Sequence, residues 1–245
     1  MCVDYNESAV AYEETRNVIP LVYSTLTSVL NLSADKKALD FGCGTGKYLL
    51  KLSKDFDIIP YGVEPSYAMR EYASRRNPLA TIVEGSHRFI PLEDKFDNIY
   101  SIDVIHHIDD LRTLFYSLQR ISKVGTLLCI CTETSEQLKE KYWTNYFPEI
   151  VDVDLKRFHS IDKIIFEAIS AGWSYIKKIS VEEEINSKIP ERFIRCVTQK
   201  TLSVLSLISE DSYKNGIIKM KADYESGRII NQREGYTFVL FEREF

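Results

Sequence analysis

Short continuous apolar runs alternate along the chain with spaced apolar patterns, the first typical of buried strands and the second of amphipathic helices. One helical pattern ends near Leu30, and two others extend over about Tyr67–Arg76 and Leu111–Leu118. The continuous runs predict seven strands, at Ala38–Phe41, Ile58–Val63, Thr81–Val83, Phe96–Ile102, Thr126–Thr132, Tyr175–Val181 and Gly235–Glu244. Strands that alternate with helices predict an α/β fold with a doubly wound, mostly parallel sheet.

The pattern changes after the fifth predicted strand. Residues 133–160 are polar and aromatic, and residues 182–234 show a mostly helical pattern. No Pro/Gly-rich linker or internal repeat divides the chain, so we predict a single domain over residues 1–245. We expect the two unusual segments to pack over the carboxyl ends of the strands, where they would cover a substrate.

Three glycines follow the first predicted strand, at Gly42, Gly44 and Gly46, and a helical pattern begins directly after them. A strand, a glycine-rich turn and a helix N-terminus allow a ligand to approach the backbone closely. A dinucleotide fingerprint, G-x-G-x-x-G, would need glycine where Lys47 stands. A phosphate-binding P-loop would need Ser or Thr, whose hydroxyl binds magnesium, where Tyr48 stands. The spacing therefore disfavours both phosphate-binding interpretations.

The stretch LDFGCGTGKY, residues 39–48, resembles the first motif of class I S-adenosylmethionine (SAM)-dependent methyltransferases. The resemblance extends over about Tyr12 to Val181. It implies the Rossmann-like fold of that family with a seven-stranded sheet, and it implies SAM as the cofactor. The family core joins its last two strands by a shorter connection, so residues 182–234 would be an added helical cap.

Glu64 stands 22 residues after Gly42, at the end of the second predicted strand. A carboxylate at that place can accept hydrogen bonds from both hydroxyls of a ribose, in NAD and SAM sites alike. The alternative is an ordinary solvated loop acid. Glu64 therefore indicates a ribose more strongly than it distinguishes between the two cofactors.

The resemblance implies further cofactor contacts. Asp40 would orient the turn or reach the methionine amine, Pro65 and Met69 would border the adenine, and Ser101 would face the sulfonium. The remaining implied contacts are Ser86, in place of the family's acidic residue, and Tyr12 and Arg16, in a segment that closes over the cofactor. An isolated Tyr and Arg are as often surface residues, so both interpretations of that segment stay open.

His106 and His107 form the one pair of residues that could be catalytic. A histidine can remove a proton from a substrate hydroxyl near neutral pH. Methyl transfer is a direct displacement, however, so alignment of the acceptor with the methyl group can supply most of the rate, and an amine would need no strong base. The alternative is that one histidine packs in the core and the other caps the next helix.

Aromatic residues are concentrated in the first of the two unusual segments, with Trp143 and Tyr146 among them. Such residues could line an acceptor cavity with flat apolar walls, which predicts Trp143 and Tyr146 as substrate-binding residues. They could equally form the core that fixes this segment to the sheet.

Composition excludes several classes of protein. The formal net charge is −5, from 31 basic and 36 acidic residues, which gives no general footprint for nucleic acid. No apolar run approaches the roughly 20 residues that span a bilayer, and the first residues lack the pattern of a secretion signal. Five scattered cysteines predict reduced thiols in a cytoplasmic protein. No cluster has metal-ligand spacing, so we expect no metal site.

Together these observations predict a SAM-dependent methyltransferase that acts on nitrogen or oxygen of a small molecule, with no nucleic-acid or membrane partner. An RNA or protein methyltransferase is the alternative among enzymes; the acidic balance and the sequence Ser-Ile-Asp-Val after the fourth strand, in place of an N/D-P-P-Y/F motif, disfavour it. A SAM-binding protein without transferase activity is an alternative of another class. An NAD-dependent oxidoreductase is the third.

Overall fold

The computed structural model of the protein describes residues 5–244. The strands within that range are β1 (Lys37–Phe41), β2 (Ile59–Val63), β3 (Thr81–Val83), β4 (Phe96–Ile102), β5 (Ser122–Thr132), β6 (Ser174–Lys188) and β7 (Ile229–Glu242). They form one seven-stranded sheet in the order β3-β2-β1-β4-β5-β7-β6. The first five strands pair in parallel, and β7 lies antiparallel between β5 and β6. The predicted α/β class with a mostly parallel, seven-stranded sheet is confirmed.

Helices connect the strands on both faces of the sheet. Their bounds are α1 (Tyr5–Thr15), α2 (Pro20–Val29), α3 (Lys47–Phe56), α4 (Tyr67–Arg76), α5 (Leu111–Arg120), α6 (Ser135–Glu140), α7 (Glu149–Arg157), α8 (Ile161–Ser170), α9 (Glu191–Thr198) and α10 (Glu210–Glu225). Short 3₁₀ helices lie at Ile105–His107, Tyr142–Asn145 and Ser203–Ser206. The starts of α5 and α8 follow from local chemistry, because Asp110 and Ser160 accept hydrogen bonds from backbone N–H groups of the first turn.

Each face of the sheet has its own core. On one face α5 and α8 bury apolar side chains against β1, β4 and β5, and Trp173 donates its indole N–H to the carbonyl of Phe115 at 3.0 Å. On the other face α2 and α3 pack against the same strands, with Leu26, Leu52 and Phe238 completely or almost completely buried. The sheet is thus covered on both sides, which leaves the edge formed by the strand ends for a ligand.

A third core lies outside the sheet. It joins α7, α9, α10 and the 3₁₀ helix Tyr142–Asn145, which we call the lid. Packing there is tight: a side chain at Gly216 would come within 2.2 Å of the Phe147 ring. The segments 133–160 and 182–234 therefore share one apolar core.

The prediction that residues 182–234 are mostly helical is wrong at both ends of that segment. β6 continues to Lys188 and β7 begins at Ile229, so a long antiparallel hairpin replaces helix there. The helices of the segment are confined to the middle. Backbone pairing does not require apolar side chains on an edge strand, and charged residues along β6 concealed the extension.

Within residues 5–244, no helix is long and apolar enough to cross a membrane. In the same range, no three residues among His, Cys, Asp and Glu are grouped as metal ligands would be.

Candidate active site

The glycine turn after β1 has the backbone that its sequence predicts. Gly42, Gly44 and Gly46 have φ values of 79°, 53° and 73°, which side chains disfavour. A side chain at Gly42 would come within 2.5 Å of Val104, and one at Gly46 within 2.5 Å of the Asn77 amide. A Cβ at Gly44 would meet only the Tyr12 ring, at 3.9 Å. Gly42 and Gly46 are thus required by packing, and Gly44 faces open space in which a ligand can approach the backbone.

Glu64 joins this turn to the end of β2. One carboxylate oxygen accepts the N–H of Gly44 at 3.0 Å, and the other accepts the N–H of Ser66 at 2.8 Å. Burial raises the pKa of Glu64, while the two backbone hydrogen bonds and Arg70 act in the opposite direction. Each oxygen keeps a second lone pair for another donor. The carboxylate is therefore fixed beside the open turn, and it can accept ribose hydroxyls as the sequence predicts.

Asp40 lies in β1 beneath the same turn and is 4 % exposed. Burial raises the pKa of its carboxyl to about 8; the nearby Tyr100 hydroxyl lowers it, and the charge of Glu64 raises it further. A buried carboxylate without a cation is costly, so a bound cation would stabilise its charged form. The methionine part of SAM carries an amine and a sulfonium, and the chemistry of this acid fits such a ligand.

Helix α1 lies across the glycine turn. Lys47 donates its ammonium group to the backbone carbonyls of Glu13 and Arg16, and Arg76 forms an ion pair with Glu13. The Arg16 guanidinium lies 5.7 Å from the centre of the Tyr12 ring. Burial raises the pKa of Tyr12, and Arg16 opposes that shift. The structure thus brings Tyr12 and Arg16 to the cofactor side of the sheet, and their role in binding stays a prediction.

The other predicted cofactor residues surround this region less closely. Pro65 is exposed, whereas Met69 is 2 % exposed and lies in the first turn of α4, where Ser66 accepts its N–H. Ser86 forms an isolated backbone bridge with Phe89. The Ser101 hydroxyl donates to the carbonyl of Phe41 at 2.9 Å and so ties β4 to the end of β1. The roles of these four residues in cofactor binding stay predictions.

The two adjacent histidines occupy the 3₁₀ helix after β4. The His106 ring stacks on Phe158 at a centroid distance of 4.2 Å, and the two histidine rings lie 4.1 Å apart. Burial lowers the pKa of His106 to about 3 and that of His107 to about 4. The charge of Asp103 opposes both shifts. Both rings are therefore neutral at pH 7. A group with so low a pKa is a weak proton acceptor, which favours packing over general base catalysis for His106.

Trp143 and Tyr146 belong to the core of the lid. Tyr146 is 6 % exposed, and its hydroxyl donates to Asp223 at 2.8 Å. The Trp143 ring stacks on Phe193 at 5.6 Å and has the Lys141 ammonium 4.7 Å from its centre. These contacts agree with the alternative that the aromatic residues hold the lid together.

Charged groups missed by sequence reasoning lie between the glycine turn and the lid. Asp103 directly follows β4, Glu133 directly follows β5, and Lys141 precedes the 3₁₀ helix of the lid. Lys141 forms an ion pair with Glu133, and both side chains are at most 10 % exposed. In α7, Arg157 pairs with Asp154 at 3.0 Å. Carboxylates directly after two neighbouring strands were a usable signal for Asp103 and Glu133, but nothing in the sequence brings Lys141 to them.

A groove of about 370 Å³ adjoins this region at Glu133, and the other residues that line it include Leu138, Phe158, His159 and Lys178. None of the predicted cofactor residues lines it. We therefore place the candidate site at the glycine turn, where the convergent polar groups are, and not at the groove.

Comparisons with known proteins agree with this geometry. Residues 39–130 match a family model described as a methyltransferase domain. An uncharacterized methyltransferase of Anoxybacillus flavithermus is 31 % identical over 125 residues, which are 51 % of this chain and 57 % of that protein. A dTDP-4-amino-2,3,4,6-tetradeoxy-D-glucose N,N-dimethyltransferase of Saccharopolyspora spinosa is 28 % identical over 230 residues, 87 % of this chain and 80 % of that one.

The fold also resembles that of solved methyltransferase structures. A crystal structure of a proposed methyltransferase from an antibiotic biosynthesis pathway of Anabaena variabilis superposes with a TM-score of 0.73 at 23 % identity, covering 94 % of this chain and 99 % of that chain. The chain spans about half the length of several curated methyltransferases that it matches, between 41 % and 57 %. The glycine turn, the Glu64 carboxylate, the matched domain and the shared fold lead to one conclusion: residues 39–130 are a methyltransferase domain within a class I methyltransferase fold, and the cofactor is SAM.

Proposed function

We propose that the chain transfers the methyl group of SAM to nitrogen or oxygen of a small molecule, which binds between the glycine turn and the lid. When bound, SAM supplies a methyl group that is electrophilic because it is attached to a sulfonium. Glu64 holds the ribose, Asp40 favours the positively charged methionine part, and α1 closes the site. The lid excludes water and aligns the acceptor.

The observation that carries this proposal is the connection between α1 and the lid. The Cys196 thiol of α9 donates to the carbonyl of Thr15 at 3.6 Å, and the hydroxyls of Thr15 and Thr201 lie 3.0 Å apart. Helix α1 therefore contacts both the glycine turn and the lid. A helix that bridges the turn and the lid restricts access between them, which suits a small acceptor better than a folded RNA or protein.

Two further points support a small acceptor. The net charge of −5 gives no general attraction for nucleic acid. The relative from Saccharopolyspora spinosa is named for a sugar nucleotide. The thiols of Cys43, Cys129, Cys131 and Cys196 are free and buried, which supports a cytoplasmic location as part of the same proposal.

A thermal-shift panel tests the cofactor part of the proposal. SAM and S-adenosylhomocysteine (SAH) should each raise the melting temperature, whereas NAD at the same concentration should not, because selective binding stabilises the folded state. A shift with NAD alone would contradict the assignment. Binding of SAM without any methylated product from a broad acceptor screen would favour a SAM-binding protein without transferase activity.

Glu64→Gln is expected to weaken SAM binding by roughly 1.5–3 kcal/mol, the range for hydrogen bonds to a charged group. Gln keeps one acceptor oxygen, but it places an amide N–H₂ near a backbone N–H group from which Glu64 accepts a hydrogen bond. Calorimetry on the variant measures the effect. The exposed-face variant Glu71→Gln, whose carboxylate pairs with Arg75, is the matched control and should bind SAM normally. Unchanged affinity in Glu64→Gln would move the ribose site elsewhere.

The double variant His106→Gln/His107→Gln is expected to keep activity on an amine acceptor within about tenfold, because both rings are weak bases in the folded protein. Loss of the stacking on Phe158 should lower the melting temperature at the same time. Rates for a folded double variant provide the check. A loss of about 10²–10⁴, the range for a general base, would restore the base hypothesis.

A further inference from the structure

Asp103 occupies a strained position at the edge of the sheet. It is the first residue after β4, and its φ of 58° is in the left-handed region, which few residues other than glycine adopt. Its backbone N–H is held by the carbonyl of Cys131 at 3.1 Å. Strain of this kind persists where the surrounding structure fixes the residue, and it is concentrated at functional sites.

The Asp103 carboxylate lies among several elements and is nevertheless accessible. Arg16 approaches it to 4.0 Å and His106 Nδ1 to 3.7 Å, and it interacts electrostatically with Lys141 and His107. Other titratable groups that interact with it are Tyr12 in α1, Tyr48 in α3, Asp154 in α7 and Tyr236 in β7. Its side chain is still 44 % exposed. A carboxylate surrounded by these elements and half exposed must face an open space between them.

The carboxylate also lacks a close partner. Both of its ion-pair distances exceed those of a hydrogen bond, and within residues 5–244 no hydrogen bond to its side chain is found. Burial alone would raise the pKa of Asp103, but His106, Arg16 and Lys141 together hold it below its usual value. The group is therefore ionised at neutral pH, with lone pairs free for a donor.

The nearby cations do not fill this role. Lys141 already has Glu133 as its partner, and Arg157 has Asp154. Arg16, directly after α1, comes no closer to Asp103 than 4.0 Å, and its Nε is buried without a partner. Asp103 is thus an accessible anion in the space above the glycine turn, and its charge is only loosely compensated.

We propose that Asp103 binds the reacting amino group of the acceptor, so that the chain methylates an amine; this rests on the proposed function above. The lone pair of the amine nitrogen attacks the methyl carbon, and the N–C bond forms as the C–S bond breaks with its electron pair left on sulfur. The nitrogen becomes a positively charged ammonium, and Asp103 accepts a hydrogen bond from it. The product then releases a proton to solvent.

An amine suits this site better than a hydroxyl. Transfer to a hydroxyl needs a group that removes its proton, and Asp103 and His106 are both weak bases here. Transfer to an amine generates a positive charge, which an ionised carboxylate stabilises where it develops. Asp103 is then an acceptor-binding residue that selects nitrogen.

A binding experiment tests this with a minimal pair of probes. SAH-saturated protein is titrated at pH 7 with propylammonium, which carries the charge that the nitrogen gains, and with 1-propanol; nuclear magnetic resonance shifts report binding. We expect at least a tenfold preference for propylammonium. Asp103→Asn should remove the preference, because Asn tolerates the left-handed backbone but has no charge. Asp109→Asn, an exposed carboxylate in the same β4–α5 connection, should keep it.

The outcomes distinguish failure of the Asp103 assignment from failure of the proposed function. Equal responses to both probes in the wild type, or an unchanged preference in Asp103→Asn, would overturn the assignment of Asp103. SAH titrations of the same samples should give the same affinity for wild type and Asp103→Asn. A wild-type protein that binds neither SAM nor SAH would instead overturn the proposed function itself.

Discussion

Replacing Asp40 by Asn is expected to stabilise the free protein and to weaken SAM binding at the same time. The pKa of about 8 means that the folded protein holds a proton on Asp40 that the unfolded chain, with an ordinary value of 3.8, has released at neutral pH. Each pKa unit corresponds to about 1.36 kcal/mol, so the buried acid costs the free protein on the order of 2–4 kcal/mol at pH 7. Asn removes this cost.

The effect has a definite pH dependence. An acid with a raised pKa in the folded state costs nothing below pH 3.8, and its cost grows as the pH rises to about 8, where it levels off. The stability difference between Asp40→Asn and wild type should therefore grow between pH 5 and pH 8. Urea unfolding at several pH values measures it, with Asp109→Asn as the control. A variant that is less stable than wild type at pH 8 would contradict the cost assigned to Asp40.

Replacement of Gly42 by alanine should mainly reduce stability, whereas replacement of Gly44 by alanine should mainly reduce SAM affinity. Gly42→Ala is expected to lose about 2–4 kcal/mol of stability, because its Cβ would overlap Val104 and its φ is positive. Gly44→Ala should lose only about 1 kcal/mol for the backbone conformation, because its Cβ meets nothing closer than 3.9 Å. The added methyl group would then stand in the space that the cofactor uses, so SAM affinity should fall at least tenfold.

Gly125→Ala is the matched control for this pair. Gly125 has a φ of 83°, and a Cβ there meets nothing within 4 Å, so only the backbone cost applies. Denaturant unfolding and SAM calorimetry on the three variants separate folding from binding. Normal SAM affinity in a folded Gly44→Ala variant would show that the cofactor does not approach this turn.

The sheet was predictable because its central strands are buried on both faces and read as continuous apolar runs. The ends of β6 and β7 were not, since Arg233 on β7 pairs across the hairpin with Glu184 and makes the pattern polar. The pattern of apolar positions does not predict helix α1. Its place depends on contacts from distant residues, such as Lys47 to the carbonyls of Glu13 and Arg16, which local sequence does not reveal.

Part of the candidate site could also be predicted from the sequence, and part could not. The glycines and Glu64 could be predicted because the turn conformation and the end of a strand are local properties of the chain. The site around Asp103 could not, because Arg16, Lys141 and Asp154 come from three separate elements. Trp143 and Tyr146 have the composition of a cavity wall, but the close packing around Phe147 and Gly216 shows how fully the lid uses its aromatic residues for its own core.

Transfer of a labelled methyl group tests the central claim most directly. The protein is incubated with SAM that carries a trideuterated methyl group and with a cell extract, which is then separated into small-molecule, RNA and protein fractions. Mass spectrometry follows the label in each fraction. The proposed function predicts SAH together with an equal amount of a small molecule that has gained the trideuterated methyl group, and Glu64→Gln should slow both. Label that appears only in RNA or protein fractions, or SAM that stays intact while it is bound, would contradict the proposal.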